Sequence, residues 1–251
     1  MNRNYDGEVL LSVIMPVYNE VQTLEVMIHR VLKEIPHNLE LIVVDDGSTD
    51  GSGAIADKCA KADSRVRVIH QKNLGKSTAL RRGFEISTGS IVIVQDADAE
   101  YDPSEIDPVI QPILTGHADV VYGSRFLVRR AARVLYFYHY LGNALLTLLS
   151  NLLTNLNMTD VETGYKAFRG DIIRSMIIDA SGFGVEIEIT AKIAKIRAVV
   201  YEVPISYYGR TYQEGKKIRA KDGLFAIWYI LRFNLFCSLD RSFRNIPKLH
   251  E

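Results

Sequence analysis

Asp96, Asp98 and Glu100 stand at alternate positions just after the unbroken β-branched run Ile91-Val92-Ile93-Val94. Such a run is the pattern of a strand buried on both faces of a helix-covered parallel sheet. That core cannot accommodate unpaired carboxylates, so the three acids belong past the strand's carboxyl end, facing water or a cation. Open α/β sheets bind their ligands at that edge. Hard oxygen donors there suit a divalent metal holding a phosphate-bearing ligand. An acidic loop capping the next helix is the alternative. Asp102-Pro103 reads as such a cap, which accounts for Asp102 but not for the other three acids.

Two more strand-to-helix turns fall at the same edge. Met15-Pro16-Val17-Tyr18-Asn19-Glu20 closes the first strand, and Val44-Asp45-Asp46-Gly47-Ser48-Thr49-Asp50-Gly51 closes the second. Asp46 can accept hydrogen bonds from a nucleobase or ribose, and the amides of Gly47 and Ser48 can face an anion at the following helix terminus. Taken alone, the second turn is equally an N-cap. Repeated at successive strand ends beside Asp96 and Asp98, such turns favour a nucleotide site. Asn73-Leu74-Gly75-Lys76-Ser77 adds a glycine turn with a cation at phosphate height. It lacks the upstream glycine of a P-loop, and no Gly-x-Gly-x-x-Gly follows the first strand, which counts against a dinucleotide dehydrogenase.

The elements that must position these residues alternate. Leu10 to Met15, Leu39 to Val44, Val66 to His70, Ile91 to Val94 and Asp119 to Tyr122 read as strands; Glu20 to Glu34, Gly51 to Ala62, Lys76 to Ser87 and Pro103 to Thr115 read as helices. This rhythm predicts a mostly parallel sheet covered by helices. After Arg125 come the basic stretch Arg129 to Arg133, a long aromatic and leucine-rich helix, a strand over Val199 to Ser206, the loop Tyr208 to Arg219 and a final helix containing Trp228.

With 251 residues, the chain has length for one large α/β domain or one domain with a C-terminal elaboration. Basic and acidic side chains balance at 30 each, so no global field attracts nucleic acid. Cys59 and Cys237 form no Cys-x-x-Cys pair, which implies a reducing compartment or no redox role. Met1 to Glu8 is polar and lacks a signal core. Without one, the glycosylation sequon at Asn157 carries no weight. Two apolar stretches approach membrane-spanning character. Val134 to Met158 is interrupted by His139, Asn143, Asn151 and Asn155, and Gly223 to Leu239 contains Arg232 and Asn234. Both read as helices packed in protein or lying at a membrane surface.

Seven segments in order, VIMPVYNE, VVDDGSTDGS, NLGKSTALRRG, DADAEYDP, GSRF, TDVETGYKAF and YYGRTYQEGKKI, resemble glycosyltransferase family 2. More narrowly, they resemble its dolichol- or polyprenyl-phosphate mannosyl/glucosyltransferase branch, over about residues 10 to 235. The resemblance implies an α/β chain with the GT-A fold: a mostly parallel nucleotide-sugar-binding sheet with helices on both faces and a C-terminal helical elaboration. It implies a tail over residues 1–9, a catalytic domain over 10–220 with an acceptor-side helix at 132–157 and a lid loop at 208–220, and an amphipathic helix and tail over 221–251. The activity implied is inverting transfer of a hexose from GDP-mannose or UDP-glucose to a polyprenyl or dolichyl phosphate, with Mg²⁺ or Mn²⁺ as cofactor. The protein would act peripherally on the cytoplasmic membrane face, with room for an integral-membrane partner protein and no nucleic-acid partner.

Carried over by position, Pro16, Tyr18, Glu20 and Asp46 resemble residues that hold the donor's base and ribose, with Gly75 and Lys76 near its phosphates. Asp96 and Asp98 match the metal-binding Asp-x-Asp. Glu100 stands where relatives often have glutamine, which keeps an oxygen ligand and adds charge. Ser77 replaces a glycine common at that place. Arg125 and Arg210 match phosphate-facing arginines, and guanidinium binds phosphate bidentately. The expected catalytic set is Asp98, Arg125 and Arg210. On the acceptor side, one basic residue among Arg129, Arg130 and Arg133 assists, assigned here to Arg133, although a solvated charge run reads equally well. Lys216 and Lys217, beside glycines in a polar loop, suggest a lid over the phosphates.

These residue types suit the reaction. Expelling a nucleoside diphosphate builds charge on its β-phosphate, which a divalent metal stabilises. A lipid phosphate is already nucleophilic and needs positioning cations more than a base. A soluble sugar or glycan hydroxyl would instead need a carboxylate base, for which Asp160, Glu186 or Glu188 is available. The same three residues suit sugar hydroxyls or plain ion pairs. A nucleotide-sugar-binding subunit without turnover is a further reading, against which the intact Asp-x-Asp and arginines weigh.

Overall fold

A computed structural model describes residues 9–127, 133, 136–182, 184–210 and 220–249. The first half runs as the apolar pattern predicts. β1 (Leu10–Val17), β2 (Asn38–Asp45), β3 (Val66–His70) and β4 (Ile91–Val94) alternate with α1 (Leu24–Glu34), α2 (Ser52–Ala62) and α3 (Lys76–Ile86). Asp102 caps a short 3₁₀ turn at Pro103–Glu105 by accepting from the Ser104 amide at 3.0 Å. Beyond it come α4 (Ile106–Leu114), β5 (Val120–Ser124) and α5 (Phe137–Thr154). The rest is β6 (Lys166–Arg169), α6 (Gly170–Ser175), α7 (Gly184–Lys195), β7 (Val200–Pro204) and α8 (Ala220–Leu235).

The strands form one seven-stranded sheet in the order β3-β2-β1-β4-β6-β5-β7. Every pairing is parallel except those of β6, which runs antiparallel to both β4 and β5. Strand order reverses at β1, which has β2 on one side and β4 on the other. The carboxyl ends of β1 and β4 therefore open a crevice at the switch point of the sheet. Side chains of β1 alternate between two cores. Leu11, Val13 and Met15 meet Leu24, Ile28 and Val31 of α1 and Ile106, Val109 and Ile110 of α4, whereas Ile14 meets Ala79, Leu80 and Phe84 of α3. Both faces of the sheet are covered, which is why its strands read as continuous apolar runs.

Four elements depart from the sequence reading. β6, with α6 and α7, has no counterpart in it. Lys166-Ala167-Phe168-Arg169 is charged at both ends, yet all four residues are buried. Arg169 pairs with Asp119 at 2.7 Å, and Lys166 donates to the carbonyls of Val161 and Thr163. The helix expected over 132–157 spans Phe137–Thr154 and ends at Asn155, which adopts the left-handed conformation at φ 57°. At the C-terminus, α8 packs on α7 and α5, burying Ala226, Ile230 and Phe233. No helix among the described residues is long and apolar enough to cross a membrane.

Candidate active site

The loops after β1, β2 and β4 meet in the crevice, tied together by side-chain to backbone bonds. Asn19, left-handed at φ 56°, accepts from the Thr49 amide at 2.8 Å, while its own amide donates to Ser48 Oγ at 3.0 Å. The Glu20 amide donates to Ser52 Oγ at 2.9 Å. Asp46 is buried, and its carboxylate accepts from the amides of Leu74 and Gly75 at 2.9 and 2.8 Å and from Gln71 Nε2 at 2.7 Å. It fixes the glycine turn, placing Lys76 at the start of α3. Pro16 is the penultimate residue of β1, and Tyr18, just past the strand's end, is exposed.

Lys76 Nζ lies 2.9 Å from Asp96 and 3.9 Å from Glu186 of α7. Burial opposes its charge, but Asp96 and Glu186 overcome that and hold its pKa above the ordinary lysine value. Asp98 and Glu100 are linked by a turn in which Ala99 is left-handed at φ 61° and the Glu100 amide donates to Asp98 Oδ1 at 3.1 Å. Burial, with the charges of Asp96 and Glu100 beside it, pushes the Asp98 carboxyl up to about 7 despite Arg210. Asp98 is thus an acid short of positive charge, the condition that a bound cation relieves.

Arg210 joins three carboxylates. Its guanidinium reaches Asp98 at 2.9 Å and Glu20 at 3.1 Å, and its Nε lies 3.5 Å from Glu100. Glu100 holds the segment after β7 in place: it accepts from the Arg210 amide at 2.8 Å and from the Tyr207 hydroxyl at 2.9 Å. Both of its oxygens are engaged, so Asp96, Asp98 and Glu100 do not converge as the expected three-acid cage. Among the described residues, no three His, Cys, Asp or Glu side chains are so arranged. The donor set still fits Mg²⁺ or Mn²⁺, since Mg²⁺ is characteristically held by one or two carboxylates with substrate phosphates and water completing the shell. Asp96 and Asp98 are the two carboxylates present for it.

Arg125, just past β5, is clamped by Asp160 through Nε at 2.6 Å and Nη2 at 2.7 Å. Burial opposes the arginine's charge, and Asp160 more than restores it. Arg125 also lies over the Tyr207 ring at 5.1 Å, so the loops after β5 and β7 share one wall. Arg133 donates to the Gly209 carbonyl at 3.0 Å on that wall. Lys216, Lys217, Arg129 and Arg130 lie outside the described residues. Glu188 accepts from the amides of Asp179 and Ala180 and pairs with Lys192 at 2.5 Å, which makes it a buried anchor of α7.

Some contributors are given no role by the sequence reading. Tyr101 stacks on Tyr165 at 5.1 Å and accepts from the Gly164 amide at 3.1 Å. A Cβ at Gly164 would lie 2.8 Å from Asp96 Oδ2, so that glycine is required for the Glu162–Tyr165 segment to approach the acids. Tyr207 is equally silent. Tyr101, Gly164 and Tyr207 lie inside the segments DADAEYDP, TDVETGYKAF and YYGRTYQEGKKI, but the sequence assigns none of them a role.

α5 is inverted relative to an ordinary surface helix. Its polar side chains face inward: Asn143 donates to Asp160 at 3.3 Å, Thr147 accepts from the Val161 amide at 3.3 Å, and Asn151 bonds both backbone groups of Met158. Phe137, Tyr138, Leu141, Leu145, Leu148 and Leu152 face outward and are at least half exposed. Leu224, Phe225, Trp228 and Leu235 of α8 are exposed as well.

Comparison with known proteins agrees with this geometry. Residues 12–176 match the model of the family described as glycosyl transferase family 2. The chain is 31% identical over 210 residues to undecaprenyl-phosphate mannosyltransferase of Micrococcus luteus, covering 81% of this chain and 85% of that protein. It is 30% identical over 247 residues to polyprenol monophosphomannose synthase of Mycolicibacterium smegmatis, covering 92% and 89%. Among solved structures, glucosyl-3-phosphoglycerate synthase of Mycobacterium tuberculosis has the same fold, with a TM-score of 0.68 at 22% identity over 90% of this chain and 81% of that one. The fold is the GT-A fold, as the resemblance implied, and the chain belongs to glycosyl transferase family 2.

Proposed function

We propose that the protein transfers a hexose, with inversion, from a nucleotide sugar to a polyprenyl phosphate at a membrane surface, with Mg²⁺ or Mn²⁺ as cofactor. The observation that carries this reading is the inverted α5. Its polar inner face holds Asp160, which clamps Arg125, while its outer face is an apolar band; Arg125 lies over the Phe126 ring, which meets the exposed Tyr140 in the first turn of the helix. A cation suited to phosphate, next to an apolar surface, matches the two ends of a lipid phosphate. The names of the relatives support the same acceptor class: those from M. luteus and M. smegmatis are an undecaprenyl-phosphate mannosyltransferase and a polyprenol monophosphomannose synthase.

In this reading the β1 and β2 loops receive the nucleoside, and Lys76 lies at the height of the diphosphate. Asp96 and Asp98 hold the cation, which supplies charge stabilisation to the departing diphosphate without proton transfer. Arg125 and Arg210 orient the acceptor phosphate for attack on the anomeric carbon from the face opposite the leaving group. No general base is needed. Of the carboxylates available to a hydroxyl acceptor, Asp160 and Glu188 are engaged by Arg125 and Lys192, which weighs against that alternative. Action on the cytoplasmic face, an integral-membrane partner and a lid formed by Lys216 and Lys217 belong to the same proposal.

The test incubates purified protein and Mn²⁺ with GDP-mannose or UDP-glucose, with and without undecaprenyl phosphate. Lipid-dependent release of GDP or UDP is expected. Asp98→Ala should lower that rate by about a thousandfold, the several kcal/mol that metal stabilisation supplies, while remaining folded by circular dichroism. Release that requires a soluble sugar acceptor instead of the lipid would overturn the reading.

A further inference from the structure

Directly after the apolar run of β4 stands a polar side chain that is completely buried. Gln95 is 0% exposed, and its backbone amide still extends the ladder to β1 by donating to the Ile14 carbonyl at 2.9 Å. Its side-chain Nε2 donates to the carbonyls of Asp96 at 3.1 Å and Tyr101 at 3.4 Å. These are the first and last carbonyls of the loop 96–101, which carries Asp96, Asp98 and Glu100. Within the loop the chain turns at Ala99, left-handed at φ 61°, so no strand or helix supports the acids. One buried amide joins the loop's two ends instead.

Gln95 Oε1, by contrast, is buried without a hydrogen-bond partner. Turning the amide over gives no relief, because the oxygen would then face two carbonyl oxygens. A buried acceptor without a donor costs about 1–3 kcal/mol, and an apolar residue continuing Ile91–Val94 would avoid that cost. What such a residue cannot supply is the two N–H donors. The contacts that hold the acids from the crevice are exchangeable: Lys76 pairs with Asp96 and Arg210 with Asp98, each at 2.9 Å, and a cation that takes the acids must break both pairs. The Gln95 bonds end on backbone and survive that exchange. Two further supports survive it: the Tyr208 amide donates to the Glu100 carbonyl at 3.0 Å, and Tyr101 stacks on Tyr165.

Resting on the proposed metal site, we propose that Gln95 is a positioning residue for the cation. Its amide closes the loop 96–101 and thereby sets how Asp96 and Asp98 are presented once Lys76 and Arg210 let go of them. Groups that orient ligating carboxylates are typically worth about tenfold to a hundredfold in metal affinity.

The test follows Mn²⁺ uptake by full-length protein through loss of the free-ion electron paramagnetic resonance signal. GDP or UDP is present, and a protein-free titration corrects for ion held by the nucleotide. Gln95→Met keeps the length, loses both donors, and should weaken Mn²⁺ binding about tenfold to a hundredfold. Val92→Ala, a core truncation in the same strand far from the loop, should lower the melting temperature yet leave Mn²⁺ affinity within about twofold. Gln95→Asn, whose amide is one methylene too short to span both carbonyls, is read in place of Gln95→Met if the latter does not melt cooperatively. Wild-type affinity in the Gln95 variant overturns the proposal while leaving the metal site standing. Equal weakening in Val92→Ala, or failure of both Gln95 variants to fold, makes Gln95 a structural residue and overturns it too. If wild type takes up no Mn²⁺ beyond the protein-free titration, the metal site fails and the role of Gln95 with it.

Discussion

A carboxyl group placed out of water beside a second carboxylate keeps its proton well into neutral pH. Burial, with Glu186 next to it, pushes Glu162 from its ordinary 4.5 up to about 8, and burial pushes neighbouring Lys166 down to about 8. Because the folded-state pKa of Glu162 is raised, the stability it contributes is complete below the unfolded value and is lost as pH rises through the folded one. Ligand-free protein should therefore lose thermal stability between about pH 5 and 8, and Glu162→Gln should flatten that decline; scanning calorimetry across the window checks it. A wild-type profile as flat as the variant's would place Glu162 in solvent. Much of the residue-level site is legible without structure, because Asp96, Asp98, Arg125 and Asp46 follow strands whose shared carboxyl edge the alternation predicts. The pairings are not. That Asp160 clamps Arg125 and that Glu100 bonds Tyr207 are consequences of loops crossing between strands far apart in sequence.

At the scale of elements, periodicity succeeds where one environment covers a whole strand and fails where burial depends on partners. The runs that become β1 to β5 need only apolar neighbours. β6 is buried because Arg169 finds Asp119 and Lys166 finds carbonyl oxygens, so its sequence looks like surface. α5 shows the opposite failure. His139, Asn143, Asn151 and Asn155 read as interruptions in an apolar helix, whereas Asn143 and Asn151 form an inner face that grips the segment carrying Asp160. The outward apolar faces of α5 and α8 then have a measurable consequence. Phe225 and Trp228 are 61% and 54% exposed, and surface substitutions of this kind stay within about 0.5 kcal/mol of wild-type stability. Phe225→Ser with Trp228→Ser should change the melting temperature by no more than about 4 °C, while lowering sedimentation with phosphatidylglycerol vesicles about tenfold or more, given about 1.5–3 kcal/mol for each fully buried large side chain. Unchanged vesicle binding would remove α8 from the membrane-facing surface.

Over the whole molecule, the crevice is closed by pairing its own charges. Arg210 ties the loop after β7 to Glu20 after β1 and to Asp98 after β4, and Lys76 of α3 holds Asp96. Two acids suited to a cation and two cations suited to phosphate thus satisfy each other across the switch point of the sheet. A cation entering alone must separate Asp98 from Arg210 and Asp96 from Lys76, leaving Arg210 to Glu20 and Glu100 and Lys76 to Glu186 alone. A nucleoside diphosphate entering alone meets bases already neutralised by the acids. Arriving together, the cation takes the acids and the diphosphate takes Lys76, so each binding event removes part of the cost of the other. This is a reciprocal coupling free energy between two ligands. Thermal melts should therefore show small shifts with Mn²⁺ alone or with GDP or UDP alone. With both present at about a hundred times the apparent Kd, stabilisation should be about 2.7 kcal/mol, a rise of about 5–10 °C for a chain of this size. Arg210→Ala removes the competitor for Asp98, so Mn²⁺ alone should bind that variant more tightly than wild type. Simply additive shifts in wild type, or weaker Mn²⁺ binding in Arg210→Ala, would mean that the ion pairs do not guard the site and that Arg210 supports the metal instead of competing with it.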